Sequence, residues 1–273
     1  MVQGLSINTN TGAMVALEQL TLTQKRLQKT QLRITTGLKV NGPKDDAATY
    51  QIATRLRGDI AGTNAVKGAL ANGEAAVNVA ISGGKAIADL LTEMKAKVVQ
   101  ANQAGLDSAS RTALQNDFTA LRDQLETIVQ TAEFNTTNLI SSGATATSIL
   151  STADGSTIAV SAQPMAASSL GIAASDLSTS AGASTALTAI DSAITSVADK
   201  LAALGAVAKR IEVQTDFTTS LVNILTEGLG NLVDADLAQE SATLQALQIQ
   251  QQLGVQSLAI ANAGPQTILG LFQ

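Results

Sequence analysis

Residues 187–232 read LTAIDSAITSVADKLAALGAVAKRIEVQTDFTTSLVNILTEGLGNL, with apolar positions recurring at alternating steps of three and four. The seam runs through Leu187, Ile190, Ile194, Val197, Leu201, Leu204, Ala208 and Ile211, then Thr215, Thr218, Val222, Leu225, Leu229 and Leu232, without a slip. A helix of this length does not fit inside a compact globule of 273 residues, so it must pack lengthwise against other long helices. The fold class that follows is mainly α: a long antiparallel helical bundle or coiled coil.

Three further seams supply the partners. Val77, Ala80, Gly84, Ile87, Leu91, Met94, Val98 and Ala101 form one, and Leu114, Phe118, Leu121, Leu125, Ile128 and Ala132 another, with a turn and cap at Gly105, Asp107 and Ser108. Near the start, Ala13, Leu17, Leu20, Gln24, Leu27, Gln31, Ile34 and Leu38 read as a heptad seam in which the glutamines fix register at a cost in stability. Gly37, Asn41, Gly42 and Pro43 end that helix, and Asp45 or Asp46 caps the next. Gly228 and Gly230 are expected to break the long helix, with Asp234 and Asp236 capping the last one. On that last helix Leu237, Leu244, Leu247, Gln251 and Leu258 share one face, while Ile249, Leu253 and Ile260 fall on the opposite one. A helix apolar on two faces needs neighbours on both, which points to other copies of the chain.

The middle differs. From Asp123 to Asp199 there is no Lys or Arg, and Ser, Thr, Gly and Ala dominate. Thr147, Ile149 and Ser151, then Asp154-Gly155, then Ile158, Val160 and Ala162 alternate about a turn signal, which predicts a small central β-hairpin region.

Composition narrows the function. Aromatics are 2% of the chain, so the core is aliphatic. The absence of Cys and His removes disulfides, thiolate nucleophiles, imidazole bases and most zinc sites, and no catalytic residue, cofactor or metal is expected. Met1 to Gly12 lacks the pattern of a secretory signal peptide, and Ser241 to Gln273 is too interrupted by Gln, Ser, Thr and Asn for membrane insertion. Residues 1–60 carry eight basic and four acidic groups, a net of +4; residues 211–273 carry six acidic groups and no basic one, a net of −6. Opposite ends can therefore pair. The basic arm lacks the stacking aromatics that nucleic acid would ask for.

Ser82-Gly83-Gly84-Lys85 invites comparison with a phosphate loop, but Val79 stands where G-x-x-x-x-G-K-S/T has its first glycine, and Ala86 replaces the hydroxyl residue. A glycine-softened helix is the better reading. Asp45-Asp46 and Asp234 with Asp236 suit capping and the helix dipole rather than carboxylate chemistry.

Several blocks together resemble bacterial flagellins. Ser6-Ile7-Asn8-Thr9-Asn10 is similar to their I-N-T-N start. Gly37-Leu38-Lys39-Val40-Asn41 with Lys44-Asp45-Asp46-Ala47-Ala48 resembles G-L-R-I-N-x-x-K-D-D-A-A, and Glu133-Phe134-Asn135 with Leu139 resembles F-N-G-x-x-L. Leu204-Gly205-Ala206, Asp234-Ala235-Asp236 with Ala238, Gln248-Ile249-Gln251-Gln252 and Ala261-Asn262 resemble L-G-A, D-A-D-aromatic-A, Q-I-L-Q-Q and Q-A-N. Thr49-Tyr50, Leu237 and Thr136 depart from the pattern, the last replacing a glycine.

The resemblance implies a structural subunit that polymerises into the extracellular flagellar filament for motility, after export unfolded through the flagellar type III apparatus. A hook-filament junction protein is the alternative. It implies terminal helices, 1–38 with 234–273, forming an inner tube, and a shell domain, 39–233, that includes a Ser/Thr-rich β region at about 135–183. Leu17, Leu20, Leu27, Ile34, Leu38, Leu244, Leu247, Leu253, Leu258 and Ile260 are the expected tube and filament interface. Implied partners are copies of the chain, sibling flagellins, an export chaperone, and hook-junction and cap proteins. Host-detected flagellins carry L-Q-R-V-R-E-L-A-V-Q in the second shell helix; Leu91 to Gln100 aligns with it, placing Glu93, Ala96 and Lys97 where that motif has Arg, Glu and Leu. Reversed charge there implies evasion of the receptor.

Overall fold

A computed structural model describes residues 9–269, the last six as backbone alone. Five helices account for most of it: α1 (Thr11–Thr36), α2 (Ala47–Ala101), α3 (Ser108–Thr131), α4 (Ser180–Val233) and α5 (Leu237–Leu269). Between α3 and α4 lie two antiparallel hairpins, β1 (Glu133–Phe134) with β2 (Thr137–Asn138), and β3 (Thr147–Leu150) with β4 (Thr157–Val160). The chain divides into two compact units, one within Met1–Gly58 and Ile224–Gln273, the other Asp59–Asn223.

In the 59–223 unit the predicted seams are the core. Every position of the Val77 to Ala101 seam is buried, and Phe118, Leu125, Ile190, Val197, Leu204 and Ile211 are buried from the facing helices. Lys97 pairs with Asp117 and Lys95 with Asp191, while a Cβ on Gly83 would meet Ala132 and one on Gly84 would meet Leu201. These pairings make both α3 and α4 antiparallel to α2. At Gly84 the added carbon would stand 2.8 Å from Leu201 Cδ2 and 3.1 Å from Met165 Sδ. The glycine pair is therefore a close helix contact and holds no phosphate loop.

Arg111 is buried and donates to the carbonyls of Ala101 and Gln103, satisfying groups at the end of α2 that the helix itself leaves open. Asp107 caps α3 by accepting the Ser110 N–H. The β3–β4 hairpin pairs Ile149 with Ile158 and Thr147 with Val160, with Asp154-Gly155 in its turn, as its alternation predicts.

The β1–β2 hairpin was not legible. Its two turn residues, Asn135 and Thr136, have φ of 47° and 64°. A two-residue turn with both central residues in the left-handed region favours Asn-Gly, because a β-branched Cβ crowds the backbone there. Thr136 occupies the glycine position. Thr136→Gly is expected to raise stability by about 0.5–1 kcal/mol, the relief exceeding glycine's entropic cost; urea unfolding of the monomer measures it, and a lowered midpoint would contradict the turn.

Gly228 and Gly230 do not break α4, which continues to Val233. Leu229 and Val233 pack with Val40 and Ala53, and that burial outweighs a glycine penalty of about 1 kcal/mol per residue.

Candidate assembly surface

Within the terminal unit α1 and α5 run antiparallel. The Asn10 side-chain amide donates to Ala261 O at 2.7 Å, Leu20 lies against Gly254, and Arg33 pairs with Glu240 at 2.7 Å. Along α1 the sequestered positions are Ala13, Ala16, Leu20, Thr23, Leu27, Thr30, Ile34 and Gly37. On α5 they are Glu240, Leu244, Leu247, Gln251, Gly254, Leu258 and Ala261. Both sets follow unbroken steps of three and four, the mark of a coiled-coil seam.

This corrects the expected α1 seam at every second position. Ala16, Thr23 and Thr30 take the places given to Leu17, Gln24 and Gln31, and the last three are exposed. Small residues let the helices approach, and a Cβ on Gly254 would lie 3.2 Å from Leu20 Cδ1. The amide within the seam is that of Gln251 on α5, in place of the glutamines expected on α1. Leu20, Leu27 and Ile34, read as seam positions of α1, and Leu244, Leu247 and Leu258, read as one face of α5, line the contact between the two helices, and Leu38 packs instead beside Val40 and Val233.

Leu17, Leu253 and Ile260 are left 54%, 57% and 67% exposed, with Ile249 also bare. On α5 the steps from Ile249 to Leu253 and from Leu253 to Ile260 place all three on one side, away from α1. Met14, Val15 and Leu22 add an exposed apolar face to α1. A continuous stripe of this kind, unlike scattered surface leucines, marks a contact surface.

The base of the α1–α5 pair is a joint made from two sequence blocks far apart in the chain. Gly37 ends α1 in the left-handed region, φ 71°, and its carbonyl accepts the Ala235 N–H at 2.8 Å. The Lys39 N–H donates to Val233 O at 2.7 Å, and Leu38 bridges Asp234. Asp46 caps α2 through the Ala48 and Thr49 N–H groups, and Asp236 caps α5 through those of Ala238 and Gln239. Asp45 and Asp234 are not caps. Asp45 pairs with Lys29 at 3.0 Å and accepts the Asn41 N–H, and Asp234 sits in the bridge to Leu38. Lys29, Arg33 and Glu240 were not singled out from the sequence, and Asn10 entered only through the I-N-T-N block; the opposed charge of the two ends was the signal for Arg33 with Glu240.

Glu93 and Ala96 are exposed on α2, whereas Lys97 is half-buried against Asp117, whose hydrogen bond and charge raise the lysine's pKa. Met94 and Val98 lie in the core. Among the described residues no cluster of three or more acidic groups is arranged to hold a metal, and no helix is long and apolar enough to cross a membrane.

Residues 7–145 match the bacterial flagellin N-terminal helical region and residues 187–272 the C-terminal helical region. The chain belongs to the bacterial flagellin family. It is 41% identical to flagellin FljK of Caulobacter vibrioides, over 98% of each chain, and 34% identical to flagellin C of Rhizobium meliloti, over 98% of this chain and 99% of that one. A solved structure of a putative flagellar hook-associated protein from Vibrio parahaemolyticus overlays 70% of this chain and all of that one with a TM-score of 0.58, at 13% identity. That likeness is one of fold. The chain is thus a structural subunit of the flagellar filament, from a family that is not enzymatic.

The joint gives a pH dependence. The Lys29 hydrogen bond, with the Asn41 N–H and the Lys29 and Arg33 charges, holds Asp45 below the ordinary aspartate value of 3.8. A depressed carboxylate stabilises the fold above its unfolded pKa, and that contribution disappears as pH falls through the folded value. The joint should therefore loosen below about pH 4. Protection factors at Lys39 and Ala235, the exchange rates normalised to the intrinsic rate at each pH, should fall from pH 6 to 3 in the native chain and less steeply in Asp45→Asn; equal slopes would remove Asp45 from the joint.

Proposed function

We propose that the chain polymerises through the outer faces of α1 and α5, with residues 1–38 and 234–273 forming the inner tube of the filament and 39–233 the shell. The observation that carries this is the bare apolar stripe of Ile249, Leu253 and Ile260 on a helix whose other face is already filled by α1. Each such side chain contributes about 1.5–3 kcal/mol if fully buried by a neighbouring copy. Assembly repeats that gain at every subunit. Before assembly the same stripe suits an export chaperone that grips the C-terminal helix. Export unfolded through the type III apparatus, contacts with sibling flagellins, hook-junction and cap proteins, and an extracellular location follow the family reading. The junction role is the weaker alternative, because near-complete alignments with flagellins at 34–41% identity support the filament subunit.

Leu253→Asp places an unpaired charge in the proposed contact without touching the α1 seam. The variant should keep its helical circular dichroism, fail to polymerise, and be missing from sheared extracellular filaments in which the native chain is found. Filaments of normal yield would sink the tube assignment. Removing residues 254–273 should also prevent polymerisation, through Ile260 of the bare face and Leu258 of the α1 seam; Leu271 and Phe272, also lost, lie outside the described residues.

Glu93 and Ala96 face solvent, and Lys97 is held by Asp117, so the stretch offers a receptor an acidic group where the detected flagellins offer Arg. We propose that this surface evades the host flagellin receptor while polymerisation is kept, because Met94 and Val98 leave the core intact. In a receptor-reporter assay purified monomer should give little activation. A response equal to that of a flagellin carrying the Arg-containing motif would refute it.

A further inference from the structure

We propose that Met14 is an oxidant-sensitive control point for assembly: conversion of its thioether to the sulfoxide in the free subunit blocks polymerisation. The inference rests on the reading of the outer faces of α1 and α5 as contacts between copies. Three of the four methionines are described, and they divide sharply. Met94 and Met165 are 0% exposed in the core of the 59–223 unit, whereas Met14 is 65% exposed on α1. It lies beside Val15, Leu17 and Leu22 in a shallow groove along one helix face, with Thr11, Glu18, Thr21 and Lys25 along its edges.

The chemistry needs only a peroxide as co-reactant. A sulfur lone pair attacks one peroxide oxygen, the O–O bond breaks as the S–O bond forms, and hydrogen peroxide leaves as water. The sulfur is oxidised by two electrons and the peroxide reduced by two. The product is a polar acceptor where the thioether was apolar, and methionine sulfoxide reductases reverse it. Burying that oxygen against the aliphatic face of a second copy strips it of the water that hydrates it in the free subunit, which opposes association. Of the donors lining the groove, Thr21 already donates to Leu17 O at 2.8 Å, and Thr11 and Lys25 stand at its two ends. Once a neighbour covers Met14 the peroxide no longer reaches it, so the device acts on unassembled subunits and spares finished filament.

The test treats purified full-length monomer with hydrogen peroxide, maps added oxygen by peptide mass, and measures polymer sedimented after seeding with filament fragments. Native monomer should gain oxygen at Met14 well before Met94 or Met165, and its critical concentration should rise about tenfold. Met14→Leu sets its own critical concentration before treatment, and peroxide should leave that value unchanged, which also separates Met14 from any oxidation at Met1. Filament treated in parallel should show Met14 protected. Normal polymerisation of monomer carrying the Met14 sulfoxide overturns the proposal, as does loss of assembly by peroxide-treated Met14→Leu. Should Leu253→Asp polymerise normally, the contact reading itself fails, and no peroxide is needed to see it.

Discussion

Close approach of α1 to α5 is the constraint on which the terminal unit depends. Leu20 lies so close to Gly254 that a Cβ there would stand 3.2 Å from its Cδ1, and Ala13, Ala16, Thr23 and Thr30 keep the α1 side of the seam low. A seam of small residues brings backbones together but buries little apolar surface per layer. Leucines and isoleucines not spent in the seam remain outside it. The helices thus have one satisfied face and one bare face, and in the assembly proposed above the bare face is the one a second copy covers.

The joint holds this pair at a fixed starting register. Lys39, Val233, Gly37 and Ala235 exchange backbone hydrogen bonds, and Lys29–Asp45 and Arg33–Glu240 tie α1 to both flanking segments. The G-L-K-V-N block and the D-A-D block, nearly two hundred residues apart, are two halves of one contact. Neither is a site for chemistry. Each residue is required by its partner across the joint, with Asp46 and Asp236 supplying equivalent caps to the helices that leave it.

Where a helix has one apolar face, the sequence displays it directly. Val77 to Ala101 is buried position by position, and the α4 seam holds from Leu187 to Leu229 before Val233 replaces the exposed Leu232. The α1 seam was misread because its helix has two apolar faces. Periodicity alone favours leucine over alanine, so Leu17 outweighed Ala16, although packing against α5 selects the smaller residue. The glycines at 228 and 230 misled for a related reason: local propensity is weak against the tertiary contacts of Leu229 and Val233. The β1–β2 turn was hidden by Thr136, which lacks the glycine that would have announced it. Of the assembly surface, Ile249, Leu253 and Ile260 were legible as a second face. Of the residues that orient that face, Arg33 and Glu240 were visible only as excess charge of opposite sign, and Asn10 only as the end of the I-N-T-N block.

The two units differ in how complete they are. In the 59–223 unit Phe118, Leu125, Ile140, Met165, Ile172 and Ile190 are fully buried, and the core closes without outside help. Among the described residues of the terminal unit the buried apolar ones are few, Leu20, Val40, Ala53, Val233 and Leu247, while more large apolar side chains than that stand exposed on α1 and α5. Ordering a helix costs conformational entropy that its buried surface must offset. A unit with most of its apolar surface outside meets that cost only when a neighbour covers it, so folding of the terminal helices and growth of the polymer draw on the same contacts. Exposure of α1 and α5 in the single chain is, on this argument, the physical basis of assembly rather than a defect of the fold.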